Sequence, residues 1–243
     1  MRTTQRGWWL KAQVAVLAAA VSGCQADISP QPEPPVRQDI FEVDFGQVEA
    51  KVDSYSNGVA GLQGAPGSAK PAGATLRALN LDNVEDPVDT TIQPDGSFAV
   101  EFSVAIGDEV RLQIFSGDLR SDPFDVAVEA DEAPPTPVTR ALADCLKLTP
   151  PLELVLASGA GEVRVDNECP EPVLLAPPYL RRPVSGLSIG AGQTWPTNLP
   201  AGATISVAIA IDGSTPLPLS EVVFIEAISP QNDRRPITVR TND

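Results

Sequence analysis

Two-residue alternation of apolar and polar side chains, interrupted by turn residues, is the feature that most restricts the fold of this 243-residue chain. The clearest example follows the turn sequence Pro94-Asp95-Gly96, where Phe98, Val100, Phe102 and Val104 alternate with Ala99, Glu101 and Ser103. Because successive side chains of a strand point to opposite faces, this pattern predicts a strand with one face in a core. The 25 prolines and 18 glycines favour short strands joined by turns over long helices.

Similar segments recur along the whole chain, and none has a convincing helical period. The other predicted strands lie at 41–52, 75–81, 110–114 (Val110, Leu112 and Ile114 alternating with Arg111 and Gln113), 124–128, 152–156, 162–166, 173–175, 205–211, 222–225 and 237–239. Turn signals spaced about 8–12 residues apart are typical of β-sandwiches. We therefore predict an all-β chain with two β-sandwich domains, residues 39–130 and 139–243. Residues 131–138, with three prolines, are predicted to be the linker.

The N-terminus has the features of an export signal. Arg2 and Arg6 give it positive charge, and the apolar run at 12–21 has the length of a signal-peptide core. A membrane-spanning helix needs about 20 apolar residues, and Lys11 prevents an extension toward the leader's two tryptophans. We therefore predict a cleaved leader, residues 1–23, in preference to a membrane-spanning anchor.

Val21-Ser22-Gly23-Cys24, placed directly after this run, resembles the lipobox of bacterial lipoprotein precursors. The resemblance implies cleavage before Cys24 and lipidation of its sulfur, and two or more acyl chains anchor a protein firmly. An ordinary secreted protein is the alternative. Gln25, in place of an aspartate, implies delivery to the outer membrane in Gram-negative relatives. Residues 24–38 carry four prolines and are predicted to be an extended spacer between the lipid and the folded part.

Two further resemblances concern the predicted sandwiches. Pro94-Asp95-Gly96-Ser97-Phe98, followed by Ile106-Gly107-Asp108 before a strand, resembles bacterial immunoglobulin-like and carboxypeptidase-regulatory-like modules. In the second half, segments 146–156 and 163–167 and the run Leu199-Pro200-Ala201-Gly202 resemble major-sperm-protein-like and related immunoglobulin-like repeats of bacterial surface proteins. These resemblances imply two immunoglobulin-like sandwiches that act as spacers or binding modules and carry no chemistry of their own.

Cys145 and Cys169 remain as an even pair once Cys24 is assigned to lipid. In an exported chain such a pair predicts one disulfide. A redox or nucleophilic thiol is the alternative, but neither cysteine belongs to a C-x-x-C motif, and the chain has no histidine to activate a thiol.

Acidic residues dominate the charge of the chain. Net charge is −15, and removal of Arg2, Arg6 and Lys11 with the leader leaves −18. Such a surface repels phosphate backbones, so we expect no nucleic-acid partner.

One predicted loop contains several side chains with hard oxygen ligands, and it is a weak candidate for a calcium site. Its residues are Asp82, Asn83, Glu85, Asp86 and Asp89. Solvated loop charges are the alternative.

Two basic pairs stand out in the second half, Arg181-Arg182 and Arg234-Arg235. Both are predicted to lie on loops. They could pair with acidic residues of the first half, where residues 39–132 carry 19 acidic and 5 basic side chains, or bind an anionic partner. Solvated surface charge is the interpretation we favour at this stage.

Catalytic motifs give no support for an enzyme. Gly186-Leu187-Ser188-Ile189-Gly190 fits the G-x-S-x-G pattern of hydrolases, but that motif needs a strand–turn–helix context and a histidine base. Phosphate-binding and dinucleotide-binding motifs are missing, so no cofactor is expected.

The sequence therefore predicts a non-catalytic envelope lipoprotein that acts as a structural, adhesive or interaction module. The alternative is a ligand-binding or accessory subunit of an envelope complex, calcium-assisted or not; its protein partner is unknown.

Overall fold

The computed structural model describes residues 41–52 and 59–241, and these belong to one compact unit. Apart from a single 3-10 turn at Phe45–Gln47, their regular structure consists of β-strands. The predicted all-β class is therefore confirmed. The leader, Cys24 and the Pro-rich spacer lie outside the described residues.

The first half of the described chain forms two main sheets. Its strands are β1 (Glu42–Val43), β2 (Val48–Lys51), β3 (Val59–Gly64), β4 (Ala69–Lys70), β5 (Thr75–Asn80), β6 (Val88–Thr91), β7 (Phe98–Ser103), β8 (Glu109–Ser116), β9 (Leu119–Arg120), β10 (Phe124–Ala127) and β11 (Thr136–Pro137). One sheet has the order β2-β3-β7, and the other has the order β11-β10-β8-β5-β6 with β9 beside β8. Strands β1 and β4 form a separate antiparallel pair.

A hydrophobic core shared by these two sheets defines the N-terminal sandwich. Leu62 and Val100 of the smaller sheet belong to the same buried cluster as Leu76, Leu112 and Ile114 of the larger one. The alternation predicted for β7 is confirmed, because Phe98, Val100 and Phe102 are buried and Ala99 and Glu101 are exposed. The preceding turn requires its glycine, since Gly96 has a φ of +84°.

The second half has the same layered organisation. Its strands are β12 (Leu146–Thr149), β13 (Glu153–Leu156), β14 (Ala160–Asn167), β15 (Val173–Leu175), β16 (Tyr179–Leu180), β17 (Leu187–Ile189), β18 (Thr197–Leu199), β19 (Thr204–Ile211), β20 (Ser220–Ser229) and β21 (Asp233–Thr241). One sheet has the order β12-β14-β19-β17. The other has the order β13-β21-β20-β15-β18, with β16 beside β20.

These two sheets enclose a second buried cluster and define the C-terminal sandwich. Val163 and Val207 come from one sheet and Val223 and Ile237 from the other. The predicted disulfide is confirmed: the sulfur atoms of Cys145 and Cys169 are bonded, and Cys169 is part of this core. The bridge fastens the chain just before β12 to the chain just after β14.

Residues 131–138, predicted to be the linker, lie against the N-terminal sandwich. The backbone N–H of Ala50 donates to the carbonyl of Ala133, and the N–H of Glu132 donates to the carbonyl of Ala50. Strand β11 then extends the larger sheet by pairing with β10. The chain therefore passes to the second core only after β11, where Leu142 is its first buried residue.

Candidate functional site at the interface of the two sandwiches

A small apolar cluster marks where the two sandwiches meet. It consists of Leu81 from the first sandwich and Val222 and Phe224 from β20, with Leu79 packed against it. Val223 belongs to the core on the opposite face of β20. Strand β20 is therefore buried on both faces, which explains its continuous apolar run. The cluster is small, and most of the interface is built from charged side chains.

Arg111 joins the sandwiches at the centre of β8. Its guanidinium donates to both carboxylate oxygens of Asp125, at 2.8 and 3.0 Å, within its own sheet. It also donates to Oγ1 of Thr238 at 2.9 Å and to the carbonyl of Pro236 at 2.8 Å, both on β21. Only 4% of Arg111 is exposed. The polar side of the predicted alternation in β8 is thus buried, because β21 covers it.

A second buried arginine, Arg181, crosses the interface in the opposite direction. Its Nε donates to Oε1 of Glu221 at 3.1 Å within the C-terminal sandwich. Its Nη1 donates to the carbonyls of Asn83 and Glu85 at 2.7 and 2.8 Å. The side chains of Arg181 and Glu221 are 2% and 1% exposed. Both hydrogen bonds of Arg181 to the N-terminal sandwich therefore end on backbone oxygen.

Arg182 and Arg234 complete the contact with the same loop. Arg182 pairs with Glu221 and with Asp86. Arg234, on β21, donates to Oδ1 of Asp82 at 2.6 Å and lies 3.2 Å from Oε2 of Glu109. Burial lowers the pKa of Arg234, but its hydrogen bonds to Asp82 and Glu109 outweigh burial and raise the pKa above its usual value. This guanidinium is therefore charged at neutral pH.

The interpretation of these pairs as solvated charge is wrong, while their placement on loops is right for Arg181 and Arg182 and wrong for Arg234 and Arg235. Arg181 follows the short strand β16, and Arg234 and Arg235 lie within β21. Arg235 pairs with the buried carboxylate of Asp233 inside its own sandwich. The physical reason is complementarity, because the acidic first half supplies carboxylates and carbonyls that three of the four arginines reach.

The structure gives side-chain partners to four of the candidate calcium ligands, Asp82, Asn83, Asp86 and Asp89. Asp82 binds Arg234, Asp86 binds Arg182, and Asp89 accepts two hydrogen bonds from Arg77 at 2.7 and 2.8 Å. Asn83 donates to the carbonyl of Ser103, and the N–H of Glu85 donates to the Asn83 side chain. Within residues 41–52 and 59–241, no three acidic, cysteine or histidine side chains are grouped to hold a metal ion. The loop is an anchor between the sandwiches.

Ser188, the central residue of the G-x-S-x-G sequence, lies in the edge strand β17. Its hydroxyl donates to the carbonyl of Ala210 on the neighbouring strand, at 3.2 Å. The next strand, β18, follows without an intervening helix. This serine has a structural partner and lacks the strand–turn–helix geometry of a hydrolase nucleophile.

Sequence reasoning missed Arg111, Asp125, Arg140 and Glu221 as interface residues. Arg140 bridges the chain after β11 to the first sandwich, at 2.9 Å from Glu109 and 3.0 Å from Asp125. One of the four carried a usable signal, since Arg111 is the only charge in the predicted strand at 110–114. A charge in such a position predicts a buried ion pair as well as a solvated face.

Comparison with known proteins adds no further assignment. No protein-family model matches the chain, and no curated protein matches it either. None of the helical structure in the described residues is long and apolar enough to cross a membrane.

Proposed function

We propose that the protein is an exported, lipid-anchored envelope protein whose two sandwiches form one rigid, non-catalytic unit for adhesion or for interaction with other envelope components. The observation that carries the proposal is the buried layer of charge between the sandwiches. Arg111 and Arg181 each bind a carboxylate in their own sandwich and oxygen atoms in the other.

Rigidity follows from the geometry of those hydrogen bonds. A guanidinium is planar and offers its donors in fixed directions, so both sandwiches must hold their relative orientation for all the bonds to form. Sliding one sandwich past the other leaves buried charges without partners. Each broken pair then costs about 3–5 kcal/mol. A fixed orientation suits a unit that presents a surface at a set distance and angle from its tether.

Export and lipid attachment are supported by three independent features of the chain. The leader ends in Val21-Ser22-Gly23-Cys24, and the spacer after it is rich in proline. The disulfide between Cys145 and Cys169 suits an oxidising compartment. Because Gln25 rather than an aspartate follows Cys24, the proposed destination is the outer membrane.

Two observations on candidate catalytic and metal-binding residues support the non-catalytic part of the proposal. The sequence has no histidine, so imidazole-based acid–base catalysis has no candidate residue. Ser188 is bonded to a strand carbonyl, and the acidic loop at 82–89 is bonded to arginine.

Replacement of Cys24 by alanine tests the anchor directly. The full-length chain is expressed in a Gram-negative host with radiolabelled palmitate, and the membrane fraction is collected. We expect the parent chain to carry label and to sediment with membranes, and Cys24→Ala to lose the label and to become soluble. The matched control is Ser22→Ala, which keeps a small residue beside the cleavage site and keeps the sulfur. Label retained by Cys24→Ala contradicts the proposal.

A further inference from the structure

An open cleft lies between the sandwiches at one side of the interface. It has a volume of about 670 Å³ and lies between the β8–β9 turn of the first sandwich and the ends of β20 and β21 of the second. A smaller cavity of about 40 Å³ continues inward from it, past Gln113, Ser220 and Thr238. Junctions between domains are common places for small-molecule sites, and this volume is within their usual range.

Two arginines in this cleft share one carboxylate. Glu153 lies 2.7 Å from Nε of Arg240 and 3.5 Å from Nη1 of Arg120. In the described residues, this ion pair is the only side-chain interaction that the structure gives Arg120, which has five N–H donors. Arg77 also lines the cleft, but its charge is balanced by Asp89. Asp118 also lines the cleft, but it lies on the exposed β8–β9 turn, where water screens its negative charge. The inner cleft therefore holds one surplus positive charge.

Other groups around Arg120 complete a site for a carboxylate with an apolar body. The hydroxyl of Thr241 accepts a hydrogen bond from the N–H of Leu219 and keeps its own hydrogen to donate. Ser220 supplies a second hydroxyl on the same wall. Phe115, Leu119, Pro218 and Leu219 supply apolar lining. Planar carboxylates match the paired donors of a guanidinium, and one surplus charge suits a monoanion better than a phosphate dianion.

We propose that this inter-sandwich cleft binds small monocarboxylates through Arg120, with the apolar part of the ligand against Phe115 and Leu119. The shared chemistry is a carboxylate next to an apolar group, which both free organic acids and the C-terminal residue of a peptide provide. The cleft belongs to the folded part, so this binding is independent of lipid at Cys24, and its failure leaves the proposed anchor untouched.

Calorimetric titration of the full-length lipidated chain in a non-ionic detergent, at low ionic strength, tests the proposal. The probes are benzoate and its neutral isostere benzamide. We expect saturable binding of benzoate in the millimolar range or tighter, and no saturable binding of benzamide. Arg120→Gln removes the charge while leaving Glu153 paired with Arg240, so the fold is retained. We expect it to weaken benzoate binding by at least about tenfold, the factor that a lost charge-assisted hydrogen bond produces.

The matched control is Arg164→Gln, which removes an exposed arginine paired with Asp166 on the other sheet of the C-terminal sandwich. It should bind benzoate as the parent chain does.

A second variant, Ser220→Ala, should also weaken benzoate binding. It tests the site if Arg120→Gln proves to be less stable than the parent chain. N-acetylphenylalanine, with its amide as the neutral control, distinguishes a free organic acid from the C-terminal residue of a peptide. Tighter binding of N-acetylphenylalanine than of benzoate identifies a peptide terminus as the ligand. The proposal is overturned if benzoate gives no saturable heat, if benzamide binds equally, or if Arg120→Gln binds as the parent does.

Discussion

At the scale of single residues, Arg181 is a buried charge that bonds to both sandwiches. Its replacement by alanine leaves Glu221 buried with Arg182 as its remaining partner, and it leaves the carbonyls of Asn83 and Glu85 without a donor. Breaking a buried pair from one side costs about 3–5 kcal/mol where the remaining charge loses its counter-ion, and we expect the lower end of that range because Glu221 keeps Arg182. We expect the free energy of unfolding of Arg181→Ala, measured by urea denaturation, to fall by that amount.

Arg164→Ala provides the comparison for this prediction. Arg164 also pairs with a carboxylate, Asp166, but its side chain is 56% exposed. Exposed pairs of this kind contribute about 0–1 kcal/mol, since water solvates both partners once they separate. If Arg181→Ala and Arg164→Ala destabilise the protein equally, the Arg181 pair is not buried in solution.

At the scale of elements, the loop at 82–89 and strand β21 are expected to stabilise each other. A double-mutant cycle with Asp82→Asn and Arg234→Gln isolates their interaction, because asparagine can still accept the hydrogen bond that Asp82 receives from the N–H of Glu109. Residues in one such network show coupling free energies of about 0.5–3 kcal/mol. The control cycle uses Glu49 and Lys51, an exposed pair within β2, whose coupling should stay below about 1 kcal/mol. Coupling at Asp82–Arg234 no larger than in the control contradicts an anchoring loop.

The elements themselves were largely predictable from sequence, while their contacts were not. Alternation located β7 and β19, and a short apolar run located β15 to the residue. Alternation also predicted the inward face of β8, but it says nothing about what covers the other face, so the charge at Arg111 was as compatible with solvent as with burial. The interface depends on residues more than 90 positions apart, such as Arg181 with Asn83. Local patterns carry no information about such pairs.

The single tryptophan of the predicted mature chain makes the cooperativity of unfolding measurable. Trp8 and Trp9 lie in the predicted leader, so Trp195 is the single tryptophan after cleavage, and it packs against the C-terminal core. Its fluorescence reports on the second sandwich, while circular dichroism in the far ultraviolet reports on all the strands. Buried charge pairs connect the sandwiches. Unfolding of either sandwich therefore leaves buried charges of the other sandwich without partners.

We therefore expect the tryptophan and circular-dichroism transitions of the full-length mature chain to coincide in urea, which is the behaviour of a single cooperative unit. The variant Arg181→Ala weakens the interface without touching either core, and it should begin to separate the two transitions. As a control, Arg164→Ala should leave them superimposed. Two well-separated transitions in the parent chain would instead show that each sandwich is stable alone, and the interface would then be a contact between independent domains, with no fixed orientation for a partner to recognise.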